Sequence, residues 1–429
     1  MKKLSLLFVL FILGCQSVNH RPFGENSQNT PDTNNPTTII QPQPGSGLSD
    51  RDLITPDVEK KKIPIALLLP LSGKQKDLGQ SLANAATIAL FENDINNNIE
   101  LVLIDSKETP EDAKKAFSEV INRKIKVVIG PVFSSSSETI AKDAIQNKIT
   151  VISLSNNQEL SHKVNNEGGL FLAGLMPETQ IDKIVNYSLD QEKYNFAIIA
   201  PNNQYGNTIT TIFKKIVKDR DANFITAEFY KNSEDIDRVV NRVIKSFSIP
   251  AKLKAKKGAV INESDRTYPQ VIFIPESGKI LSKIVASINR QNIDERNFQI
   301  AGTNQWDDIS TLNDRNLLGG WFAAPQNEKF RNFEKTYYQN FGKFPPRISA
   351  IAYDMVAAVV NLTITNNEQT PKLSDFINYQ PAPQNGFNGI DGQFRFLPNG
   401  LIQRNLAVLK VSSGRFEVID QPAEQFLRY

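Results

Sequence analysis

Hydroxyl side chains follow two of the apolar segments that this sequence predicts as buried strands. Ser72 and Gly73 come directly after the first segment, and Ser134 and Ser135 come after the third, ahead of a predicted helix. Hydroxyls and free backbone N–H groups in such positions suit a carboxylate or a phosphate. The alternative is structural, because Ser135 with Glu138 three residues later forms a capping box that satisfies a helix start without any ligand. We favour the capping interpretation.

Aromatic and acidic residues follow predicted strands in the second half of the chain. Tyr205 comes after one of these strands and could close over a ligand. Trp306 could be a stacking platform for a sugar or a side chain, although a tryptophan packed in the core is the more common outcome. Asp307 and Asp308 match the start of the next helix. A metal site is not expected there, because no histidines or further acids are nearby.

Residues for common catalytic machinery are scarce. The chain has two histidines, His20 and His162, so a Ser-His-Asp or histidine–metal arrangement would rest on a single residue. Walker, Gly-x-Gly-x-x-Gly, Gly-x-Ser-x-Gly, Ser-x-x-Lys and Lys-Thr-Gly sequences are absent. We therefore predict a non-enzymatic protein without a cofactor. Paired carboxylates for glycan cleavage stay open, because the sequence does not give the distances between acids.

Short apolar segments alternate with helical patterns twice along the chain. The predicted strands cover 63–69, 101–105, 127–130, 149–153, 196–200, 224–229, 271–274 and 298–302. The helices between them cover 82–90, 111–121, 138–145, 181–189, 208–218, 236–247 and 279–288. Such alternation predicts an α/β fold with doubly wound parallel sheets. We interpret residues 250–266, which are basic and polar without a clear period, as a surface insertion.

The C-terminal part of the chain departs from this alternation. A long amphipathic helix is predicted behind Pro345 and Pro346, because Pro is favoured at helix starts. Its apolar face would contain Ile348, Ile351, Met355, Val356 and Val359. The last segment predicts a hairpin-like end, in which residues 392–396 turn at 398–400 into residues 406–411, with a further turn at 413–414.

The N-terminal segment predicts export and lipid attachment. Residues 1–14 combine two lysines with a short apolar core and a small residue at the end, as in a secretory signal. The segment Ile12-Leu13-Gly14-Cys15 matches the lipobox pattern, and Cys15 is the only cysteine in the chain. Cys15 would then carry acyl groups such as palmitate on a membrane outside the cytoplasm. An ordinary signal peptide or an uncleaved anchor is the alternative.

Residues 15–62 form the predicted lipidated cysteine and tether. The segment is rich in Asn, Gln, Pro, Ser and Gly and offers little apolar surface to bury, which predicts disorder. As a coil it would span about 35–40 Å. Gln16 stands where an aspartate often retains lipoproteins at the inner membrane, which favours the outer membrane facing the periplasm.

Composition excludes several classes of protein. A length of 429 residues predicts two or more domains, and 40% hydrophobic with 22% charged residues is ordinary for a globular protein. The formal net charge of +3 includes Lys2 and Lys3 of the predicted signal, so no basic footprint for nucleic acid remains. No apolar run after residue 15 is long enough to cross a bilayer.

The order of elements resembles the type I periplasmic binding fold, which is leucine-binding-protein-like. The resemblance rests on two α/β halves, a returning helix and a terminal hairpin. It implies two lobes and three crossings between them, near Gly174, near Pro325 and at 392–400. Lobe 1 would comprise residues 63–174 with 326–391, and lobe 2 residues 175–325 with 392–429.

A narrower resemblance is carried by six motifs in order. They are GTNQWD at 302–307, LGGWFAAP at 318–325, FGKFPPR at 341–347, AYD at 352–354, GFNGIDGQFRF at 386–396 and RNLAVL at 404–409. These motifs resemble the penicillin-binding protein activator lipoproteins, over about residues 63–429. The family implies an envelope lipoprotein that acts on peptidoglycan synthases. Its larger members carry a helical-repeat domain ahead of the binding fold, and residues 16–62 are too short and polar to form one.

Further candidate residues follow from the fold resemblance. Ser153 and Ser155 stand at the end of the fourth strand, where similar amino-acid receptors place ligand hydroxyls, although a turn-forming Ser-Asn run is equally compatible. Glu276 stands where such receptors pair an ammonium group, although an acid at a helix N-terminus is favoured by the dipole alone. The resemblance thus adds a possible small ligand in the interlobe cleft.

Two functions follow from these observations. The first is a lipid-anchored, non-catalytic protein that binds and activates a peptidoglycan synthase, a penicillin-binding protein. The alternative is the substrate-binding lipoprotein of an amino-acid-type ABC transporter, which would close its lobes around a ligand. An envelope hydrolase ranks last.

Overall fold

The computed structural model describes residues 61–164, 169–246, 270–291, 298–381 and 386–426. The chain divides at residue 58, and residues 59–429 form the second, compact unit. Cys15, His20, the tether as far as residue 60 and the predicted insertion at 250–266 lie outside the described residues, as does the side chain of His162. The fold is therefore that of the second unit.

Strands and helices alternate along the described residues, as the sequence predicts. The strands are β1 (Ile63–Leu69), β2 (Ile99–Asp105), β3 (Val127–Ile129), β4 (Thr150–Ser153), β5 (Leu170–Leu172), β6 (Asn195–Pro201), β7 (Asn223–Tyr230), β8 (Val271–Phe273), β9 (Gln299–Gly302), β10 (Trp321–Ala324), β11 (Phe387–Gly389), β12 (Gly392–Phe396), β13 (Ile402–Arg404), β14 (Ala407–Ser412) and β15 (Arg415–Asp420).

The helices have the following bounds. They are α1 (Lys76–Asn93), α2 (Pro110–Asn122), α3 (Ser134–Gln146), α4 (Glu159–Val164), α5 (Pro177–Asp190), α6 (Gln204–Asp219), α7 (Ile236–Lys245), α8 (Gly278–Asn289), α9 (Ile309–Leu312), α10 (Asn327–Phe341), α11 (Ser349–Thr365) and α12 (Leu373–Asn378). Within the described ranges, none of them is both long enough and apolar enough to pass through a bilayer.

The first sheet has five parallel strands in the order β2-β1-β3-β4-β5. β1 lies between β2 and β3 and is almost wholly apolar, as expected for a parallel strand covered on both faces. Leu67 faces α1 and α11, whereas Leu68 faces α2 and α3. Helices therefore cover both faces, as the doubly wound prediction requires.

The second sheet repeats this strand order and extends it. β7-β6-β8-β9-β10 are parallel, and β14 and β15 continue the sheet as an antiparallel pair beyond β10. Ile198 of β6 packs with α5 and α6, and Ile199 packs with α7 and α8. The predicted parallel core is present. The predicted hairpin of 392–396 with 406–411 is wrong, because β12 turns back into β13 after 398–400 and β14 pairs with β15 through the turn at 413–414.

A third, three-stranded sheet contains β11, β12 and β13. Leu401, beside β13, forms a bridge with Leu172 of β5. The Phe396 ring lies 4.7 Å from that of Phe171 and 5.0 Å from that of Phe376. These contacts attach residues 387–404 to the first sheet. We therefore propose that the third crossing between lobes follows Arg404, rather than lying at 392–400.

Two local predictions need correction. The helix α3 begins at Ser134 with Phe133 as its N-cap, so Ser135 lies inside the first turn and the Ser135–Glu138 capping box is wrong. The helix α11 is buried over much more than one face, since 12 of its 17 residues are buried. It lies against α1 over most of its length, which explains why its outer positions are apolar as well.

Candidate functional site

The two sheets share the strand order 2-1-3-4-5, and this order fixes where a site can form. Strand order reverses between β1 and β3 in one sheet and between β6 and β8 in the other. Loops that leave the carboxyl ends of such strand pairs diverge and open a crevice. Four residues that the sequence predicts as site residues follow the carboxyl ends of these strands: Ser72, Ser134, Tyr205 and Glu276. The loops that carry them are therefore where a ligand site is expected.

Ser72 is engaged by its own chain. Its hydroxyl donates to Asp105 Oδ2 at 2.6 Å, and the backbone N–H groups of Leu71 and Lys107 donate to Oδ1 of the same carboxylate. Burial acts to raise the pKa of Asp105, but these hydrogen bonds hold it below its usual value. Ser72 thus fastens β1 to the end of β2. Gly73 beside it has a φ of +79°, which a side chain would strain.

The serines of the fourth strand form a buried network. The Ser153 hydroxyl lies 2.7 Å from that of Ser137 and donates to the carbonyl of Pro131 at 3.1 Å. It also accepts from the backbone N–H of Ser155, whose own hydroxyl accepts from Asn157 N. Ser153 therefore connects the end of β4 to the first turns of α3, and no free hydroxyl of this residue faces a ligand.

Ser134 and Ser135 stand nearer to solvent than the buried serines. Ser134 is half-buried at the first position of α3, and Ser135 is exposed. The Ser135 carbonyl accepts from Thr139 Oγ1 at 2.9 Å. Their backbone N–H groups belong to the open first turn of the helix, where a small anion would be accepted without displacing a side chain.

Glu276 and Tyr205 approach each other beyond the carboxyl ends of β6, β7 and β8. The Tyr230 hydroxyl donates to Glu276 Oε1, and Gln305 Nε2 donates to the Tyr205 hydroxyl at 3.3 Å. Burial and the Glu276 carboxylate raise the pKa of Tyr205 to about 12, and burial and the bond to Glu276 raise that of Tyr230 as well. Both phenols are therefore neutral donors at neutral pH.

Trp306 is a core residue rather than a platform. It is 0% exposed, and its indole Nε1 donates to the carbonyl of Ile274 at 3.2 Å. A Cβ at Gly302 would lie 2.2 Å from the indole ring, and one at Gly320 would lie 2.7 Å from it. The platform interpretation is therefore wrong, because the ring fills the space that these two glycines leave.

Asp307 belongs to a buried charge cluster that the sequence did not predict. Its Oδ2 lies 3.1 Å from Arg347 Nε, and Arg347 Nη2 lies 2.9 Å from Asp391 Oδ1. The Arg347 guanidinium also lies over the Phe330 ring at 4.0 Å. Burial raises the pKa of Asp307 against the opposing effect of Arg347. Asp308 caps α9 instead, as predicted for a helix start.

A second buried pair lies next to this cluster. Arg404 Nη1 donates to Asp354 Oδ2 at 2.7 Å and to the carbonyl of Asp391 at 2.9 Å. The backbone N–H of Ile390 donates to Asp354 Oδ1 at 2.6 Å. Burial raises the pKa of Asp354 to about 6 although Arg404 opposes it. The sequence analysis missed this pair, and the charged Asp354 inside the apolar α11 is the signal that could have indicated it.

A cleft of about 250 Å³ lies between the two lobes beside these charges. Ser155 and Asn156 line it from the first sheet, Asn304 from the second, Arg347 from the segment ahead of α11, and Asp391 from the turn between β11 and β12. Tyr205, Glu276 and Ser72 are not among its lining residues. Within the described ranges, no group of three or more acids, histidines or cysteines is arranged to hold a metal ion.

Comparison with known proteins agrees with this geometry. Residues 62–415 match the family model described as "Periplasmic binding protein". A protein of Rickettsia prowazekii (strain Madrid E), "Uncharacterized protein RP748", is 26% identical over 372 residues, which are 85% of this chain and 90% of that protein. The "Penicillin-binding protein activator LpoA" of Vibrio antiquarius (strain Ex25) is 25% identical over 211 residues. That alignment spans 48% of this chain and 33% of the activator.

Solved structures share the fold at low sequence identity. A putative branched-chain amino acid ABC transporter protein from Rhodospirillum rubrum has a TM-score of 0.69 at 15% identity, over 84% of this chain and 100% of that chain. The substrate binding protein LivJ from Streptococcus pneumoniae, solved in complex with isoleucine, has a TM-score of 0.58 at 18% identity. It also covers 84% of this chain and 100% of its own length. These likenesses establish the two-lobed α/β fold.

Proposed function

Because the chain belongs to the periplasmic binding protein family, we propose that it is a non-catalytic protein of the cell envelope that binds and activates a peptidoglycan synthase. In this proposal the binding-type fold contacts another protein instead of delivering a small ligand to a permease. A lipid anchor at Cys15, facing the periplasm from the outer membrane, is part of the proposal.

One observation carries this choice: Ser72, Ser153 and Glu276, three of the polar residues expected to hold an amino acid, are engaged by the chain itself. Ser153 is bonded to Ser137 and to the Pro131 carbonyl, Ser72 to Asp105, and Glu276 to Tyr230. A ligand would have to displace these bonds, and each buried donor or acceptor left without a partner costs about 1–3 kcal/mol. The arrangement therefore favours a body whose loops are organised without a ligand.

The charge cluster between the lobes supports the same conclusion. Arg347 stands just ahead of α11, which packs on the first sheet, whereas Asp307 follows β9 of the second sheet. Separating a buried ion pair by removing one partner costs about 3–5 kcal/mol. Wide lobe opening that parted these residues would carry a comparable penalty, which a capture-and-release receptor would have to overcome in every cycle.

The names of the relatives support the partner class that we propose. Several matching proteins are named as penicillin-binding protein activators, from Vibrio antiquarius and from strains of Vibrio cholerae. The chain spans only about a third of their length, 33% and 29%. The alignment with these activators is therefore partial, and a synthase partner is our proposal for this chain.

The test is a reconstituted synthesis assay. Peptidoglycan synthases of the source organism are incubated with lipid-linked precursor, with and without the purified chain, and glycan polymerisation and crosslinking are followed separately. We expect faster synthesis by at least one synthase and no product from the chain alone. No stimulation of any synthase, or turnover of cell-wall fragments by the chain alone, would reject the proposal.

A second candidate is the substrate-binding protein of an amino-acid-type ABC transporter. The cleft of about 250 Å³, with Asn304 and Arg347 on its walls, is the observation that favours it. Thermal unfolding with and without leucine, isoleucine or valine distinguishes the two. A receptor would be stabilised against heat by a ligand that it binds tightly, whereas the activator would show a flat response.

A further inference from the structure

One edge of the first sheet forms a continuous surface far from the cleft. We call it the amino edge, the edge at which β1 to β5 begin. The backbone N–H of Ile63 donates to the Asn98 carbonyl at 2.8 Å, and Lys62 Nζ donates to Asn97 Oδ1 at 2.7 Å. Asn98 Nδ2 in turn donates to Glu368 behind α11 at 3.4 Å. The start of β1, the start of β2 and the end of α11 thus lie together.

A groove of about 640 Å³ occupies the other half of the amino edge. Lys126 ahead of β3 donates from Nζ to the Asn147 carbonyl at 2.9 Å, and its own carbonyl accepts from Thr150 N. The groove runs from these strand starts to the beginning of α12. Its floor is apolar, with Ile145, Ile149, Pro371 and Leu373 among the lining residues.

Exposed lysines surround this edge. They are Lys61, Lys62, Lys124, Lys126, Lys148 and Lys372. None of the six forms an ion pair with an acid in the ranges that the structure describes. Of the acids nearby, Asp94 accepts from the backbone N–H groups of Asn98 and Ile99, and Glu119 pairs with Arg123. The six lysine ammonium groups are therefore not neutralised by direct ion pairs within these ranges.

Large apolar side chains stand exposed at the same edge. Phe91 in the last turn of α1 is 82% exposed, Ile95 in the turn before β2 is 90% exposed, and Ile364 in the last turn of α11 is 46% exposed. Apolar side chains exposed beside a basic surface are the composition of a membrane-contacting face, where rings and aliphatic groups enter the headgroup layer. Binding of an acidic partner protein would require the lysines, but it would not require apolar side chains as exposed as Phe91 and Ile95.

We propose that the amino edge docks on an anionic phospholipid surface. The lysines would lie against headgroup phosphates, Phe91 and Ile95 would enter the acyl boundary, and the groove would accept a lipid glycerol or chain segment. The chain enters the folded unit at this edge, because Lys61 and Lys62 immediately precede β1. The inference rests on the proposed envelope location. Docking in this way would point the carboxyl ends of the strands, and therefore the cleft, away from the membrane.

The experiment is vesicle co-sedimentation with a chain that begins at residue 16. This chain lacks Cys15 but keeps the whole compact unit of residues 59–429. Vesicles of phosphatidylcholine with about 30% phosphatidylglycerol are compared with pure phosphatidylcholine vesicles, at low and at high salt. We expect binding to the anionic vesicles that weakens at least roughly tenfold at high salt, and no binding to the neutral ones.

Matched variants distinguish binding through the amino edge from a general effect of the protein's charge. Lys148→Glu with Lys372→Glu should weaken binding at least roughly tenfold, whereas Lys231→Glu with Lys279→Glu on the second sheet carries the same charge change and should have little effect. Phe91→Ser with Ile95→Ser should weaken binding, and Ile309→Ser with Leu318→Ser, also exposed apolar positions, should not. Circular dichroism confirms that each variant is folded.

Three results would overturn the inference. They are no binding to anionic vesicles at low salt, an equal loss in the control variants, and capture of an acidic protein at this edge in place of lipid. The outcome is independent of the synthesis assay. Vesicle binding without synthase stimulation would support the membrane-docking surface and reject the activator proposal. Synthase stimulation without vesicle binding would support the activator proposal and reject the membrane-docking surface.

Discussion

Arg347 Nε lies 3.1 Å from Asp307 Oδ2 and joins the segment ahead of α11 to the segment behind β9. The same guanidinium contacts Asp391 at 2.9 Å, in the turn between β11 and β12. One cation therefore meets three parts of the chain that are far apart in sequence. Its contribution to stability can be separated from its contribution to lobe motion.

We expect Arg347→Ala to lower the free energy of unfolding by about 3–5 kcal/mol, because it leaves the buried carboxylates of Asp307 and Asp391 without the cation that pairs with them. Urea denaturation measures this loss. The double variant Asp307→Asn with Arg347→Ala should lose clearly less than the sum of the two single variants. Additive losses would show that the two side chains do not interact in solution.

We expect Asp354 to make stability depend on pH. Burial raises the pKa of this carboxyl to about 6 in the folded state, above its value of about 4 in the unfolded chain. The folded state therefore binds the proton more tightly, and the contribution of Asp354 to stability falls as pH rises from 4 to 6. The fall is roughly 2 kcal/mol and levels off above pH 6.

The control for this prediction is Asp354→Asn, which cannot titrate. Chemical denaturation at several pH values should give a difference between the wild type and Asp354→Asn that changes by roughly 2 kcal/mol across this window and is constant above it. A constant difference from pH 4 to pH 7 would contradict the raised pKa. Other titrating groups cancel in this comparison because both proteins contain them.

We expect Gly302→Ala to be strongly destabilising, because the new Cβ would lie 2.2 Å from the Trp306 ring. The cost should be about 3 kcal/mol, at the upper end for overpacking. Gly319→Ala is the matched control: its φ is +85°, but no atom lies within 4 Å of the added Cβ. Left-handed strain alone should cost it about 1 kcal/mol in thermal or urea unfolding. Equal costs would mean that Trp306 moves aside.

We expect Ser153→Ala to lower the free energy of unfolding by about 1–3 kcal/mol, because the Pro131 carbonyl and the Ser155 N–H lose a buried partner. Ser135→Ala, at an exposed position of the same helix start, should change it by less than about 0.5 kcal/mol. Neither variant should change synthase stimulation. Loss of stimulation with unchanged stability in Ser153→Ala would assign this serine to ligand or partner binding instead.

The order of elements was predictable from local patterns, and their side-chain environment was not. Apolar runs such as Ile63–Leu69 identify buried strands because every position there must avoid water. The capping box at Ser135 failed because tertiary contacts decide the start of α3, where Ser137 bonds to Ser153. A local pattern carries no information about a partner that is 16 residues away.

The candidate site was less predictable than the fold. The sequence alone did not distinguish a stacking platform from a core residue at Trp306. The close approach of Gly302 and Gly320 to its ring shows that it is a core residue. Glu276 has the right position for a ligand contact, yet it is bonded to Tyr230, which lies 46 residues earlier. Arg347 and Asp391 were visible only as parts of motifs, because their pairing depends on how the β11–β12 turn folds against the start of α11.

The hydrogen bond between Asn98 and Glu368 spans 270 residues of chain. The first sheet is therefore translated early but remains uncovered on the α1 side until α11 has been made, whereas the five parallel strands of the second sheet arise from one uninterrupted segment. Such long-range closure is slow, and incomplete chains expose apolar surface. A nascent chain that stops before α11 has the five parallel strands of the second sheet but lacks β14 and β15, and one face of its first sheet lacks the cover of α11. We therefore expect such a chain to aggregate more readily than the complete one.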